Sequence, residues 1–168
     1  NLGTQMALHP DDPPFPVFGI PRIASNYEDL KYVLECYPSP NNGLTFCSGS
    51  LGANLKNDLP KMITYFGDKI HFVHLRNIIV WEDGSFYEST HLEGSVPMRQ
   101  VMQALVDEQT KRLAVGRKDV AIPLRPDHGH VLLYDKAKKN AFYPGYSLIG
   151  RALGLAELSG LEQGIRNF

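Results

Sequence analysis

Four short apolar runs of this chain each close on a residue able to hold a metal ion. Gln5-Met-Ala-Leu-His9, Gly43-Leu-Thr-Phe-Cys47, Lys69-Ile-His-Phe-Val-His74 and Val120-Ala-Ile-Pro-Leu-Arg-Pro-Asp127 end on two imidazoles, a thiol and a carboxylate. Imidazole and thiolate favour zinc or iron, and a carboxylate also suits manganese. Four protein ligands around tetrahedral zinc would leave no open position. A catalytic site that uses all four residues therefore fits a five- or six-coordinate Mn²⁺ or Fe²⁺ better. Cys47 also has a plainer reading, the small buried apolar residue that most free cysteines are. Each histidine taken alone is more often structural than catalytic. What argues for a metal site is that the same kind of position recurs at four run ends.

Further reactive groups cluster beside these ends. Arg125-Pro-Asp-His-Gly-His130 packs two histidines, an arginine and a carboxylate onto a turn held by Pro126 and Gly129. His128 could be a fifth ligand or an acid/base, and His130 a partner that orients another ligand or meets substrate. Tyr146 would start the final helix near the same rim, where its phenol could donate a proton or simply pack. Alternation along a strand puts Phe72, His74 and Arg76 on one face and His71 and Val73 on the other. Arg76 then belongs at the strand end as an anion-binding group, and His71 reads as packing or surface. Asp11 and Asp12 are either loop caps among prolines or groups for substrate hydroxyls, with Asp12 the substrate-binding candidate.

The elements that must position these groups repeat in order. Each run is followed by a loop and then a helical pattern, which is how a (β/α) barrel places chemistry at the carboxyl ends of its strands. The expected fold class is α/β of the (β/α)₈ TIM-barrel type, with about four β/α units present. Ser25-Asn26 caps a helix over 27–37 whose stripe is Leu30, Val33, Leu34 and Tyr37. Residues 48–52 read as a loop, leading to the Asn57-Asp58 cap of a helix with Leu59, Met62, Ile63 and Phe66, stopped by Gly67. An insertion over 76–94, with Trp81, Phe86, Tyr87 and His91 among acidic residues, is expected to form an ordered cover over the site. Ser95 and Pro97 start a helix carrying Met98, Val101, Met102 and Leu105 and running to about Gly116. The last helix, from about Tyr146 to Ile165, holds glycines at 150, 154, 160 and 164, each costing roughly 1 kcal/mol relative to alanine. Close packing against a neighbour could explain them.

Composition bounds the rest. With 168 residues, 43% hydrophobic and 21% charged, the chain can bury one sizeable core in a single domain. A formal net charge of -1 gives no basic stripe for nucleic acid, and Lys136-Ala-Lys-Lys139 is too short to act as one. Apolar runs stay under the ~18 residues of a membrane span and no leader pattern opens the chain, so the expectation is a cytoplasmic protein with no membrane partner. Cys36 and Cys47 read as free thiols. A closed barrel needs eight units and about 250 residues. The chain opens on Asn1 rather than Met and is expected to be part of something longer. Half a barrel leaves two apolar sheet edges, which invite a homo-oligomer.

Taken together, the motifs resemble one family. His9-Pro-Asp-Asp-Pro-Pro14 with Phe18-Gly-Ile-Pro-Arg22, Asn42-Gly-Leu-Thr-Phe-Cys47-Ser-Gly-Ser50, His71-Phe-Val-His74-Leu-Arg76, Arg125-Pro-Asp-His-Gly-His130 and Pro144-Gly-Tyr146 look like the mannonate dehydratases. The resemblance runs over nearly the whole chain, 1–168, and covers the carboxyl-terminal half of such an enzyme. It implies a xylose-isomerase-like barrel and a metal-dependent hydro-lyase that converts the sugar acid D-mannonate into 2-keto-3-deoxy-D-gluconate and water in hexuronate (glucuronate) catabolism, using Fe²⁺ or Mn²⁺. It also implies His9, Cys47, His74 and Asp127 as ligands and His128 and Tyr146 as acid/base groups, with Arg76, Arg125, Asp12 and His130 around the substrate. Ser95 and Pro97 depart from the aspartates many relatives carry, although Ser95 can still cap its helix. A sugar isomerase or epimerase on the same barrel, and an inactive metal-binding fragment lacking half its pocket, are the competing readings.

Overall fold

The computed structural model describes residues 4–136, 143 and 145–167, so positions 137–139 of the lysine cluster and Pro144 lie outside the described residues. In chain order the elements are β1 (Met6–Leu8), α1 (Tyr27–Cys36), β2 (Asn42–Cys47), α2 (Ser48–Gly52), α3 (Leu59–Phe66), β3 (Ile70–Leu75), β4 (Ile78–Val80), β5 (Phe86–Glu88), α4 (Met98–Ala114), β6 (Leu124–Pro126), α5 (Leu133–Lys136) and α6 (Leu148–Arg166). β1, β2, β3 and β6 pair in that order into one parallel sheet, while β4 and β5 form a separate antiparallel hairpin. Parallel neighbours joined through helices are the α/β pattern that the alternation of runs foreshadows.

The sheet buries its apolar side against the helices. Leu44 and Phe46 of β2 and Ile70, Val73 and Leu75 of β3 join Leu59, Met62, Ile63 and Phe66 of α3 and Val101, Met102 and Leu105 of α4 in one core. Each such side chain contributes roughly 1.5–3 kcal/mol when fully withdrawn from water. Between β2 and β3 the pairing slips by one residue: Leu44 lies opposite Ile70, but Thr45 lies opposite Phe72. His71 is the residue passed over, and its ring lies where a side chain on Gly43 would go, 2.2 Å from an ideal Cβ. The buried positions of β3 accordingly fall at 70, 73 and 75 rather than at strict alternation.

Local chemistry sets the helix boundaries. Asn26 caps α1 by accepting from Asp29 N, and Asp58 caps α3 by accepting from Lys61 N. Tyr37, placed on the buried stripe by periodicity, is exposed, because α1 ends at Cys36 and Tyr37 is already extended. Residues 48–52 form a short buried helix rather than a loop. Gly67 does end α3, but its φ of -51° needs no glycine; the reason is proximity, since a Cβ there would meet Glu108 Oε2 at 2.5 Å. Ser95 does not cap α4. Its hydroxyl accepts from Val80 N in the hairpin, and Pro97 stands at the cap position.

Of the four glycines of α6, two are tightly packed. A Cβ on Gly150 would meet His130 O at 2.5 Å, and one on Gly154 would meet the His91 ring at 2.2 Å, whereas Gly160 and Gly164 have nothing within 4 Å. Both cysteines are free, Cys36 exposed and Cys47 buried. Among the described residues no helix is long and apolar enough to cross a membrane.

Candidate metal centre and its neighbours

Three adjacent parallel strands deliver three donor side chains to one point. His9 follows β1, Cys47 ends β2, and His74 sits in β3 directly opposite Cys47. One ligand atom from each lies within 4.8 Å of the other two. Asp127, one residue past β6, adds a carboxylate, with Oδ1 3.4 Å from His74 Nδ1 and Oδ2 4.0 Å from Cys47 Sγ. Its backbone N–H donates to Leu75 O, which fixes the carboxylate beside the end of β3.

The donor set fits a divalent cation. His9 Nδ1 lies 2.7 Å from Pro10 O, and donating its hydrogen there leaves Nε2 as a lone pair 3.1 Å from His74 Nδ1. That same His74 nitrogen also faces the Asp127 carboxylate. Two imidazoles and a sulfur gathered at one point, with a carboxylate beside them, are a donor set that suits a divalent cation. Cys47 is buried, and Ser50 Oγ donates to its sulfur at 3.1 Å.

Arg76 and its partners form the adjoining wall. Ser48 Oγ donates to Arg76 O and accepts from Arg76 N, locking the end of β3 to α2. Gly49 lets the arginine side chain pass, since a Cβ would meet Arg76 Cδ at 2.4 Å. Each nitrogen of the buried guanidinium then donates to a carboxylate: Nε and Nη2 to Glu88 Oε1 at 2.9 and 2.5 Å, and Nη1 to Asp12 Oδ2 at 2.6 Å. Burial pushes the guanidinium toward neutrality, but Glu88 and Asp12 outweigh that and raise its pKa. Arg76 thus holds two acidic side chains in place. Asp12 is one of them, and Asp11 caps its own loop by accepting from Ile23 N and Ala24 N.

On the other side, Arg125 Nη2 donates to Asp127 Oδ1 at 3.0 Å while 43% of the Arg125 side chain stays exposed. His128 Nε2 lies 2.9 Å from the Tyr146 hydroxyl, with the rings 4.9 Å apart and edge-on. Tyr146 precedes α6, whose cap is Ser147, and is set by a turn in which its N–H donates to Tyr143 O. Gly129 N donates to Gly145 O, joining the two segments. His130 does not join this group: it is exposed and lines a separate cavity of about 250 Å³ with His91 and Glu157.

The structure thus brings His9, Cys47, His74 and Asp127 near one another and His128 beside Tyr146, while Glu88, Ser48 and Ser50 were not among the residues singled out from sequence. Glu88 lies in the 76–94 insertion, which forms the β4–β5 hairpin around Asp83-Gly84, where Gly84 has a φ of +84°. An Asp-Gly turn between alternating residues was the one signal that could have placed it.

Comparisons with known proteins bear on the family of the chain. A family model described as D-mannonate dehydratase (UxuA) matches residues 1–168. A mannonate dehydratase of Saccharophagus degradans is 50% identical over 161 residues, covering 96% of this chain and 40% of that protein. One from Rhizobium meliloti is 49% identical over 168 residues, covering 98% and 41% respectively. The crystal structure of mannonate dehydratase from Streptococcus suis serotype 2 superposes with a TM-score of 0.82 at 36% identity, covering 98% of this chain and 44% of that one. The chain thus spans about 40% of the length of the curated relatives it matches.

Proposed function

Because this chain belongs to the D-mannonate dehydratase family, we propose that it carries the metal and proton-transfer corner of a (β/α)₈ enzyme that removes water from D-mannonate in the cytoplasm. The product is 2-keto-3-deoxy-D-gluconate, a step of hexuronate catabolism. The observation that carries the reading is the convergence of His9, Cys47 and His74, with Asp127 beside them, at the ends of consecutive parallel strands. The uncovered edges of β1 and β6 suit further strands of a closed barrel, for which the greater length of the relatives leaves room.

His9, Cys47, His74 and Asp127 would hold Mn²⁺ or Fe²⁺, which when bound supplies Lewis-acid stabilisation of the charge that develops on the substrate carboxylate. Arg125, partly exposed beside Asp127, is the guanidinium best placed to meet that carboxylate, because Arg76 is engaged by Asp12 and Glu88. His128 and Tyr146 form the proton-transfer pair. One of them takes the C2 proton, the C2–H electrons become the C2–C3 double bond, and the C3–O bond breaks. The other protonates the departing hydroxyl so that it leaves as water. The resulting enol loses the hydrogen of its C2 hydroxyl, gains a proton at C3 and becomes the 2-keto acid.

Cys47→Ala and His74→Ala in the full-length protein test this. Both are expected to lose bound metal and to form no 2-keto-3-deoxy acid from D-mannonate. Undiminished turnover with normal metal content overturns the reading, and conversion of the substrate without loss of water assigns an isomerase instead.

A further inference from the structure

We propose that Glu88 is a positioning residue for the proton-transfer pair: its carboxylate accepts the Nδ1 hydrogen of His128 and leaves Nε2 as the acceptor for the Tyr146 phenol. The inference rests on the reading of His128 and Tyr146 given above and extends it to a residue outside every motif of the chain.

Glu88 reaches the site from β5, and its Oε1 lies 3.1 Å from His128 Nδ1. Two donors of Arg76 grip the same carboxylate, and Arg76 is itself pinned by Asp12 and lies over the Phe86 ring at 5.8 Å. Its carboxylate therefore has little freedom to turn away. Burial alone would push the Glu88 carboxyl up, but hydrogen bonds from His128 and Arg76 and the Arg76 charge outweigh it and hold the group down at about 2. At neutral pH it is ionised and can only accept.

An acceptor at hydrogen-bond distance from Nδ1 decides the tautomer of a neutral imidazole. The hydrogen sits on Nδ1 and the lone pair on Nε2, 2.9 Å from Tyr146 Oη, so the phenol donates to the ring. The opposite tautomer would set a lone pair against a carboxylate and bring two hydrogens together at Tyr146. Asp127 Oδ2, the other group facing Nε2, stands at 3.7 Å, beyond hydrogen-bond reach. The Arg151 guanidinium lies over the ring of Tyr146 at 5.7 Å. A continuous relay of contacts thus runs from Asp12 through Arg76, Glu88 and His128 to Tyr146. The 76–94 insertion thereby contributes to the geometry of the pair through Glu88.

The test uses the full-length protein with ¹⁵N-labelled histidine, the His128 resonances being assigned with His128→Gln. Wild type is expected to show His128 protonated on Nδ1, and Glu88→Ala to shift it toward the Nε2-protonated form. With D-mannonate, kcat of Glu88→Ala is expected to fall about 10- to 100-fold, the usual cost of removing an orienting partner. KM should stay within about threefold. Glu88→Gln keeps an amide oxygen in the same place and is expected to recover roughly a tenth or more of the lost rate; it also carries the test if the alanine variant fails to fold. Wild-type His128 protonated on Nε2, a loss confined to KM, or both variants within twofold of wild-type kcat overturns the proposal. Tyr146→Phe is measured alongside. Full activity there sinks the proton-transfer reading itself, while the tautomer still decides the contact with Glu88. An inactive Tyr146→Phe beside fully active Glu88 variants sinks the role of Glu88 alone.

Discussion

His9 Nε2 and His74 Nδ1 face each other at 3.1 Å although their strands are not paired, because β2 runs between β1 and β3. Two imidazole nitrogens this close, with a carboxylate alongside, form a donor set that a bound cation would stabilise. A chelator is therefore expected to lower the thermal midpoint of the full-length protein, and re-addition of Mn²⁺ or Fe²⁺ to restore it. A ligand present at a hundred times its dissociation constant contributes about 2.7 kcal/mol. Identical melting curves with and without chelator would count against a metal at this point.

Arg112 is the structural counterpart at the other end of β3. It is 2% exposed, donates to Gly67 O, Ile70 O and Asp119 O, and pairs with the equally buried Glu108 at 3.0 Å. Arg112→Ala removes a donor from three carbonyls and leaves the buried Glu108 carboxylate with only the longer contact to Lys111 Nζ at 3.4 Å, which is expected to cost about 3–5 kcal/mol. Urea denaturation measures it. The double variant Arg112→Met with Glu108→Leu should recover most of the loss, since no charge then remains buried.

The glycines of α6 make a prediction with opposite signs. Gly154→Ala drives a methyl into the His91 ring and is expected to destabilise by about 1–3 kcal/mol. Gly160→Ala meets nothing within 4 Å and is expected to stabilise by up to about 1 kcal/mol through helix propensity. Denaturation midpoints of the two variants should move in opposite directions.

These contrasts show how far sequence carries. His9, Cys47, His74 and Asp127 are legible because the carboxyl end of a strand recurs as a position along the chain, and the sheet turns that recurrence into proximity. Glu88 is not legible, because its partners Arg76 and His128 come from different segments and only the hairpin brings them together. Arg76 was placed correctly at its strand end, yet which anion would claim it depended on two loops folding over it. Ser95 carried the right chemistry for a cap, but the hairpin backbone at Val80 took its hydroxyl first.

Acid should expose one further pair. Hydrogen bonds from Arg117, against the upward push of burial, lower the Asp119 carboxyl from 3.8 to about 2. A carboxyl whose folded value lies below its unfolded one stabilises the fold above about pH 4, and that contribution is lost as pH falls toward 2. With 43% of the Asp119 side chain exposed, solvent screening keeps the effect to a fraction of a kcal/mol. The stability gap between wild type and Asp119→Asn is expected to close between pH 4 and pH 2 in denaturation curves, and a gap that persists at pH 2 contradicts it.

The one-residue slip between β2 and β3 works as a vernier. Without it, Cys47 would come level with Val73, whose side chain belongs to the hydrophobic layer, and the thiol would face no imidazole at all. His71 is the extra residue that the slip absorbs, and because the ladder passes over it His74 comes abreast of the sulfur. Deleting that single residue would let the ladder run unbroken from Leu44–Ile70 to Cys47–His74, so the donors are expected to stay level without any slip.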